Sequence, residues 1–158
     1  MEIKINSLED TRRFARCLAE FLTPGMVLCL SGDLGAGKTT FTQALAGALG
    51  VDEPVTSPSF TIVHEYHSGR FPLYHMDVYR VEAADELEDF GFDDYFAGTA
   101  LVVVEWGERV AELLPEHRIR MSLHRGNKEE ARVIRINEAL DLEHRLAAWL
   151  INHWKEYE

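Results

Sequence analysis

No part of this chain constrains its fold more than Gly32-Asp33-Leu34-Gly35-Ala36-Gly37-Lys38-Thr39. The segment has the pattern G-x-x-x-x-G-K-[ST]. It lies between an apolar run, Met26 to Leu30, and a stretch of helical character that starts near Lys38 and stops at Gly50. Each residue type meets a chemical need. Glycines let the backbone curl until successive N–H groups face one anion, Lys38 adds a positive charge at the β- and γ-phosphates, and the Thr39 hydroxyl can ligate Mg2+. A helix beginning at Lys38 points the positive end of its dipole at the same place. A Gly-rich turn that carried Lys-Thr by accident would have no reason to sit between a buried strand and a helix. The segment therefore predicts a nucleoside triphosphate site on a strand–loop–helix unit, which needs a parallel sheet around it.

The rest of the chain can supply that sheet. Glu2 to Asn6 alternates as a short strand, and Ser7 with Asp10 three residues later reads as a helix N-cap with a near capping box. Phe14, Cys17, Leu18 and Phe21 share one face of the helix that follows, which Pro24-Gly25 closes. Ser59 to Tyr66 and Arg70 to Asp77 read as strands of a hairpin turning at Ser68-Gly69. The pattern predicts a mostly helical, strongly acidic stretch from Val81 to Phe96. A buried strand at Leu101 to Val104 and a short helix ending near Pro115 come next. A second hairpin pairs Arg118–His124 with Arg132–Asn137, and an amphipathic helix from Asp141 to Trp154 closes the chain. The expected fold is α/β, three-layered and of the P-loop NTPase kind. It has a mixed sheet with a parallel centre, antiparallel hairpins and helices on both faces. With 158 residues, 46% of them apolar, residues 1–158 suit one domain that buries roughly 70% of its unfolded surface.

Charge and apolar patterning narrow the function. Sixteen Lys and Arg against 27 Asp and Glu leave a net charge of −11, which argues against unaided binding to DNA or RNA, where cations must neutralise phosphates. The apolar runs fall far below the ~18 residues of a membrane span. The first residues show no basic and apolar leader, so the expectation is a soluble cytoplasmic protein without membrane contact. Cys17 and Cys29 read as small core residues in a reducing compartment.

A phosphate-binding loop of this kind needs an acid for the metal at the C-terminal end of a neighbouring strand. Glu105 follows Leu101-Val102-Val103-Val104 directly and fits as the hydrolytic carboxylate, touching Mg2+ itself or through water. Asp77 follows Leu73-Tyr74-His75-Met76 and fits the same metal shell, its bland alternative being an ion pair or turn cap near Arg80. Thr56-Ser57-Pro58-Ser59-Phe60-Thr61 has the hydroxyls and proline of a switch segment that senses a γ-phosphate, or is an ordinary loop entering a strand. No guanine-reading pattern fits its setting, so ATP is preferred over GTP. Lys38 and the acids could serve hydrolysis, a small-molecule kinase, or a nucleotide-gated binding module with negligible turnover. A kinase would consume ATP only with its acceptor present.

The phosphate loop extended to Thr40, Ser57-Pro58-Ser59-Phe60-Thr61, His75-Met76-Asp77-Val78-Tyr79-Arg80 and Val104-Glu105-Trp106 occur in that order. Together they resemble the TsaE family, the small ATPases of the bacterial machinery that makes N6-threonylcarbamoyladenosine beside the tRNA anticodon. The resemblance runs from Thr11 to about Arg132. Ser59 and Val104 stand where threonine and isoleucine are commoner in the family. The resemblance implies an ATPase that is weak alone and works with TsaD and TsaB, its ATP cycle assembling or resetting their complex, with tRNA met only through that complex. It implies phosphate contacts from Gly35, Ala36, Gly37, Lys38, Thr39 and Thr40, with Mg2+ held at Thr39 and Glu105 and its shell supported by Asp77. It also implies nucleotide contacts at Thr11 and Arg132, and a place for Trp106 near the site, near a partner, or in the core.

Overall fold

Strict alternation along β2 (Val27–Ser31) and β5 (Leu101–Glu105) sends Leu28, Leu30, Leu101 and Val103 to one side of a sheet and Val27, Cys29, Val102 and Val104 to the other. Strands buried on both faces read as continuous apolar runs, and these two lie at the centre. The structure, a computed structural model, describes residues 1–157. The remaining strands are β1 (Glu2–Ile5), β3 (Val63–Tyr66), β4 (Leu73–Asp77), β6 (Ile119–Arg125) and β7 (Arg132–Ile136). All join one seven-stranded sheet in the order β1-β7-β6-β2-β5-β4-β3. The four central strands β6, β2, β5 and β4 run parallel, while β3 and the β7–β1 pair add antiparallel edges. The mixed sheet with a parallel centre and two hairpins is therefore present, as its sequence pattern predicts.

The two faces are covered unequally. Helices α1 (Leu8–Phe21), α2 (Lys38–Ala48) and α4 (Asp141–His153) pack their apolar sides, led by Phe14, Leu18, Phe41, Leu45, Leu146 and Leu150, onto one face. The other face carries only α3 (Ala84–Asp89) and two 3-10 segments, Phe92–Phe96 and Gly107–Leu113, which cover β2, β5 and β4 through Leu87, Phe92, Val110 and Leu114. Ser7 caps α1 by accepting the Asp10 N–H at 3.1 Å, while the Asp10 carboxylate accepts from the Asn6 N–H, also at 3.1 Å. Cys17 and Cys29 are buried and free on opposite faces of the sheet, where burial pushes their thiols up to about 11 and about 12. No helix among the described residues is long and apolar enough to cross a membrane.

One expectation needs correction, and two are refined. The stretch from Val81 to Phe96 is mostly helical but broken: α3 spans six residues, Gly91 turns the chain with φ +77°, and a 3-10 turn follows. Acidic side chains one turn apart repel, and Glu88 with Asp89 sit at the negative end of the helix dipole, so nothing in the pattern extends α3. The first hairpin strand begins at Val63, not Ser59, because the Pro58 carbonyl accepts the N–H groups of Thr61 and Ile62 and folds that segment into a turn. The short helix expected before Pro115 is present as the 3-10 segment Gly107–Leu113.

Candidate nucleotide and metal site

The loop after β2 folds as its glycines require. Gly32 has φ +139°, and a Cβ there would meet the Leu123 carbonyl oxygen at 2.4 Å. Gly37 has φ +100° and stands immediately before α2. These are backbone positions that side chains rarely adopt. The first free N–H groups of α2 therefore open onto a cavity of about 280 Å3 lined by Leu34, Gly35, Gly37, Lys38, Thr39 and Thr40 on the loop side. Ser57, Ser59, Asp77, Glu105, Trp106 and Arg132 line the rest. Oriented N–H groups at a helix start bind anions without further help.

Lys38 is buried and folded back. Its Nζ donates to the carbonyls of Gly32 at 2.5 Å and Asp33 at 3.0 Å, and it lies 4.2 Å from the centroid of the Trp106 ring. Burial pushes its ammonium below the usual lysine range, and the nearby Glu105, Glu108, Asp77 and Asp33 carboxylates offset only part of that. Trp106 adopts φ +64°, packs against Tyr79 with centroids 4.8 Å apart, and is half-buried at the wall of the cavity.

Both acids stand where the sheet register puts them. Asp77 and Glu105 are paired positions at the ends of β4 and β5, on the face that α2 covers. The Thr39 hydroxyl donates to the Glu105 carboxylate, with Oε1 and Oε2 at 3.2 and 3.3 Å. Asp77 accepts the Tyr79 N–H at 2.9 Å and the Ser59 hydroxyl at 3.1 Å. It is thus a turn cap and a wall of the cavity at once. No cluster of three or more His, Cys, Asp or Glu among the described residues could enclose a metal. The donor set that is present, one hydroxyl and two carboxylates beside the free N–H groups of α2, suits Mg2+, which keeps waters and substrate oxygens in its shell.

Thr11 and Arg132 lie on the same side as the loop. A narrow cleft lined by Leu8, Thr11, Gly37, Thr40, Phe41 and Arg132 shares Gly37, Thr40 and Arg132 with that cavity. A wider groove past Thr11, Gln43 and Ala44 continues it. Arg132 ties the hairpin to the loop, its Nε donating to the Ala36 carbonyl at 2.8 Å. Every candidate residue from Thr11 to Arg132 therefore borders one trough over the start of α2, except Ala36, which is buried beneath it.

A family model described as "Threonylcarbamoyl adenosine biosynthesis protein TsaE" matches residues 5–134. The chain belongs to the TsaE family. The tRNA threonylcarbamoyladenosine biosynthesis protein TsaE of Bacillus subtilis (strain 168) is 49% identical over 125 residues, covering 79% of this chain and 78% of that protein. The protein of the same name from Treponema pallidum (strain Nichols) is 45% identical over 126 residues, covering 78% of this chain and 93% of its own length. The crystal structure of Bacillus subtilus YdiB shares the fold with a TM-score of 0.79 and 35% identity, over 100% of this chain and 96% of that one.

Within this TsaE family member, two contacts at the site escape a reading of the motifs alone. Ser59 bonds Asp77, which ties the Thr56–Thr61 segment to the acid, and His75 lies against Glu105. The only signal for the second is the spacing of two between His75 and Asp77, which puts both on one face of a strand.

Proposed function

We propose that this protein is a Mg2+-dependent ATPase, slow by itself, that serves threonylcarbamoyl modification of the tRNA adenosine beside the anticodon together with TsaD and TsaB. Its nucleotide cycle assembles or resets their complex, in the cytoplasm where its tRNA is met. The observation that carries this reading is one cavity at the start of α2 that joins Lys38, Thr39, Asp77 and Glu105, in a chain of the TsaE family.

Thr39, Glu105 and Asp77 would hold the metal, which when bound supplies positive charge at the phosphate oxygens. The chain does the rest. Amides of Gly35 to Thr40 take the phosphates, and Lys38 leaves the Gly32 and Asp33 carbonyls for the β- and γ-phosphates. Glu105 or Asp77 orients the water that attacks in line. Two features support a slow rate. Lys38 must break its present contacts, and Arg132, the arginine lining the cavity, already donates to the carbonyls of Ala36, Glu129 and Ala131. A further cation aimed at the γ-phosphate is worth ~10³–10⁵ in such sites, so a partner or a movement of Thr56–Thr61 completes this one. Exposed Leu34 and Phe60, next to the mouth, offer such a partner apolar footing.

The test is phosphate release from Mg-ATP by the chain alone and with TsaD and TsaB, with Lys38→Ala as control. Slow release that the partners change and the control abolishes supports the reading. Release indifferent to them removes the coupled function, and a requirement for an acceptor substrate would make the protein a kinase. Glu105→Ala that binds its partners as wild type does would point to a nucleotide-gated binding module.

A further inference from the structure

His75 is a fully buried polar side chain that the chemistry above leaves without work. Alternation along β4 turns it to the α2 side, opposite Val103 and one step beneath Glu105. Its ring is fully buried, its Nε2 lies 2.5 Å from Glu105 Oε2, and its Nδ1 has no partner among the described residues. Leu73 and Leu101, on the same face of the same two strands, show what packing alone selects there. A ring with an unsatisfied buried nitrogen costs stability that a leucine would not. Something other than packing holds it.

The Glu105 carboxylate beside Nε2 decides where a proton sits. A proton on Nδ1 would be an orphaned buried donor, while a bare Nε2 would set its lone pair against a carboxylate oxygen. Nε2 therefore carries a proton and donates it to Oε2. Glu105 is then held from below by His75 and from the cavity side by the Thr39 hydroxyl. Such a tether matters for a glutamate, which has one more side-chain torsion than the aspartate commonly found at this place in phosphate-loop sites. Asp77 is tethered differently, by the Tyr79 N–H and Ser59.

We propose that His75 is the positioning residue of Glu105: its Nε2–H occupies Oε2 and fixes the carboxylate beside the Thr39 hydroxyl, leaving Oε1 for the cavity. The inference rests on the ATPase reading and assigns His75 no contact with nucleotide or metal.

Two variants separate the donor from the ring. His75→Gln keeps an N–H near the position of Nε2; His75→Phe keeps the ring and removes the donor. ATP affinity is measured in EDTA and in Mg2+, with kcat, KM and thermal midpoint alongside. Both variants should bind ATP in EDTA within about twofold of wild type. The gain from Mg2+ should fall about tenfold in His75→Phe, the size usual for losing a hydrogen bond to a metal ligand. In that variant kcat should fall more than KM changes, and His75→Gln should recover most of both. In 15N-labelled free protein, the Nε2–H should give a slowly exchanging resonance that moves in Glu105→Gln. A folded His75→Phe with the full Mg2+ gain overturns the proposal, as does a folded His75→Gln no better than His75→Phe, or no such resonance. Should His75→Phe fail to fold, His75→Leu carries the same comparison. A wild-type chain that gains nothing from Mg2+ overturns the ATPase reading, and this inference with it.

Discussion

Glu105 and Glu143 are both buried carboxylates, 2% and 0% exposed, and they lead opposite lives. Glu143, in the first turn of α4, accepts the Leu140 N–H at 3.0 Å, the Arg120 N–H at 3.0 Å, and the Arg120 side chain through Nε at 2.7 Å and a terminal nitrogen at 3.1 Å. Every oxygen is engaged, and the bond locks α4 to the start of β6. Glu105 has one donor beneath it and one hydroxyl beside it, and its free side faces a cavity. A buried charge that is wholly satisfied is structural. One left partly open at a wall of N–H groups is ready to take a ligand.

The sharpest way to break the comparison is to neutralise each acid in turn. Glu105→Gln should lower the rate of phosphate release about a hundredfold or more, the scale of losing a general base, while moving the thermal midpoint little. Glu143→Gln should do the reverse, costing about 2–4 kcal/mol in urea unfolding because it leaves Arg120 short of its partner, with ATP affinity within twofold of wild type. If both variants lost stability and neither lost turnover, the division between the two acids would collapse.

A smaller effect follows from pH. Burial pushes Glu143 upward, but hydrogen bonds from the Arg120 side chain and from the Leu140 and Arg120 N–H groups outweigh it and hold its carboxyl below the ordinary 4.5. A group whose folded pKa is depressed gives stability that is complete above the unfolded value and fades as pH falls through the folded one. Urea midpoints measured from pH 7 to 3 should therefore drop more steeply below about 4.5 for wild type than for Glu143→Gln, with the two curves converging at the acid end. Parallel curves would mean that Glu143 is not held in its charged form by these bonds.

The two regions also differ in how far the sequence reveals them. The phosphate loop is legible because its chemistry is local: eight successive residues carry the turn, the lysine and the hydroxyl, and a strand and a helix flank them. Central strands and hairpins are legible for the same reason, since alternation needs no partner. Glu105 and Asp77 can be read as strand ends. Their facing positions, and the place of His75 under Glu105, depend on β4–β5 register, which no motif records. Arg120 and Glu143 are 23 residues apart in chain and meet only because α4 returns to the start of β6. The stretch from Val81 to Phe96 shows its helical character but not its break, because acidic residues that favour a helix start also repel along its length, and Gly91 settles the matter with a left-handed turn. Ile62, with φ +69°, is a β-branched residue in a conformation such residues avoid. Its carbonyl accepts the Asp77 N–H, so the departure from local preference sits beside the acid.

The smallest effect concerns Lys38, whose ammonium burial keeps below its ordinary 10.5 in the free protein. A base whose folded pKa is lowered binds fewer protons folded than unfolded between the two values, so stability rises with pH across that window. Below it, the charged form is a cost that the native state carries. Lys38→Met keeps the length of the side chain without the charge. It should raise the thermal midpoint of the free protein at pH 7 by about 2–4 °C, which for a domain of this size corresponds to ~1 kcal/mol. It should also lose the further gain that wild type shows as pH climbs toward 10.5. Saturating Mg-ATP should reverse the order, since wild type gains ligand stabilisation that the variant cannot. If the free variant were instead less stable than wild type, the bonds to Gly32, Asp33 and Trp106 would be a satisfied structure like that around Glu143. The lysine would then be resting in its place and not waiting for phosphate.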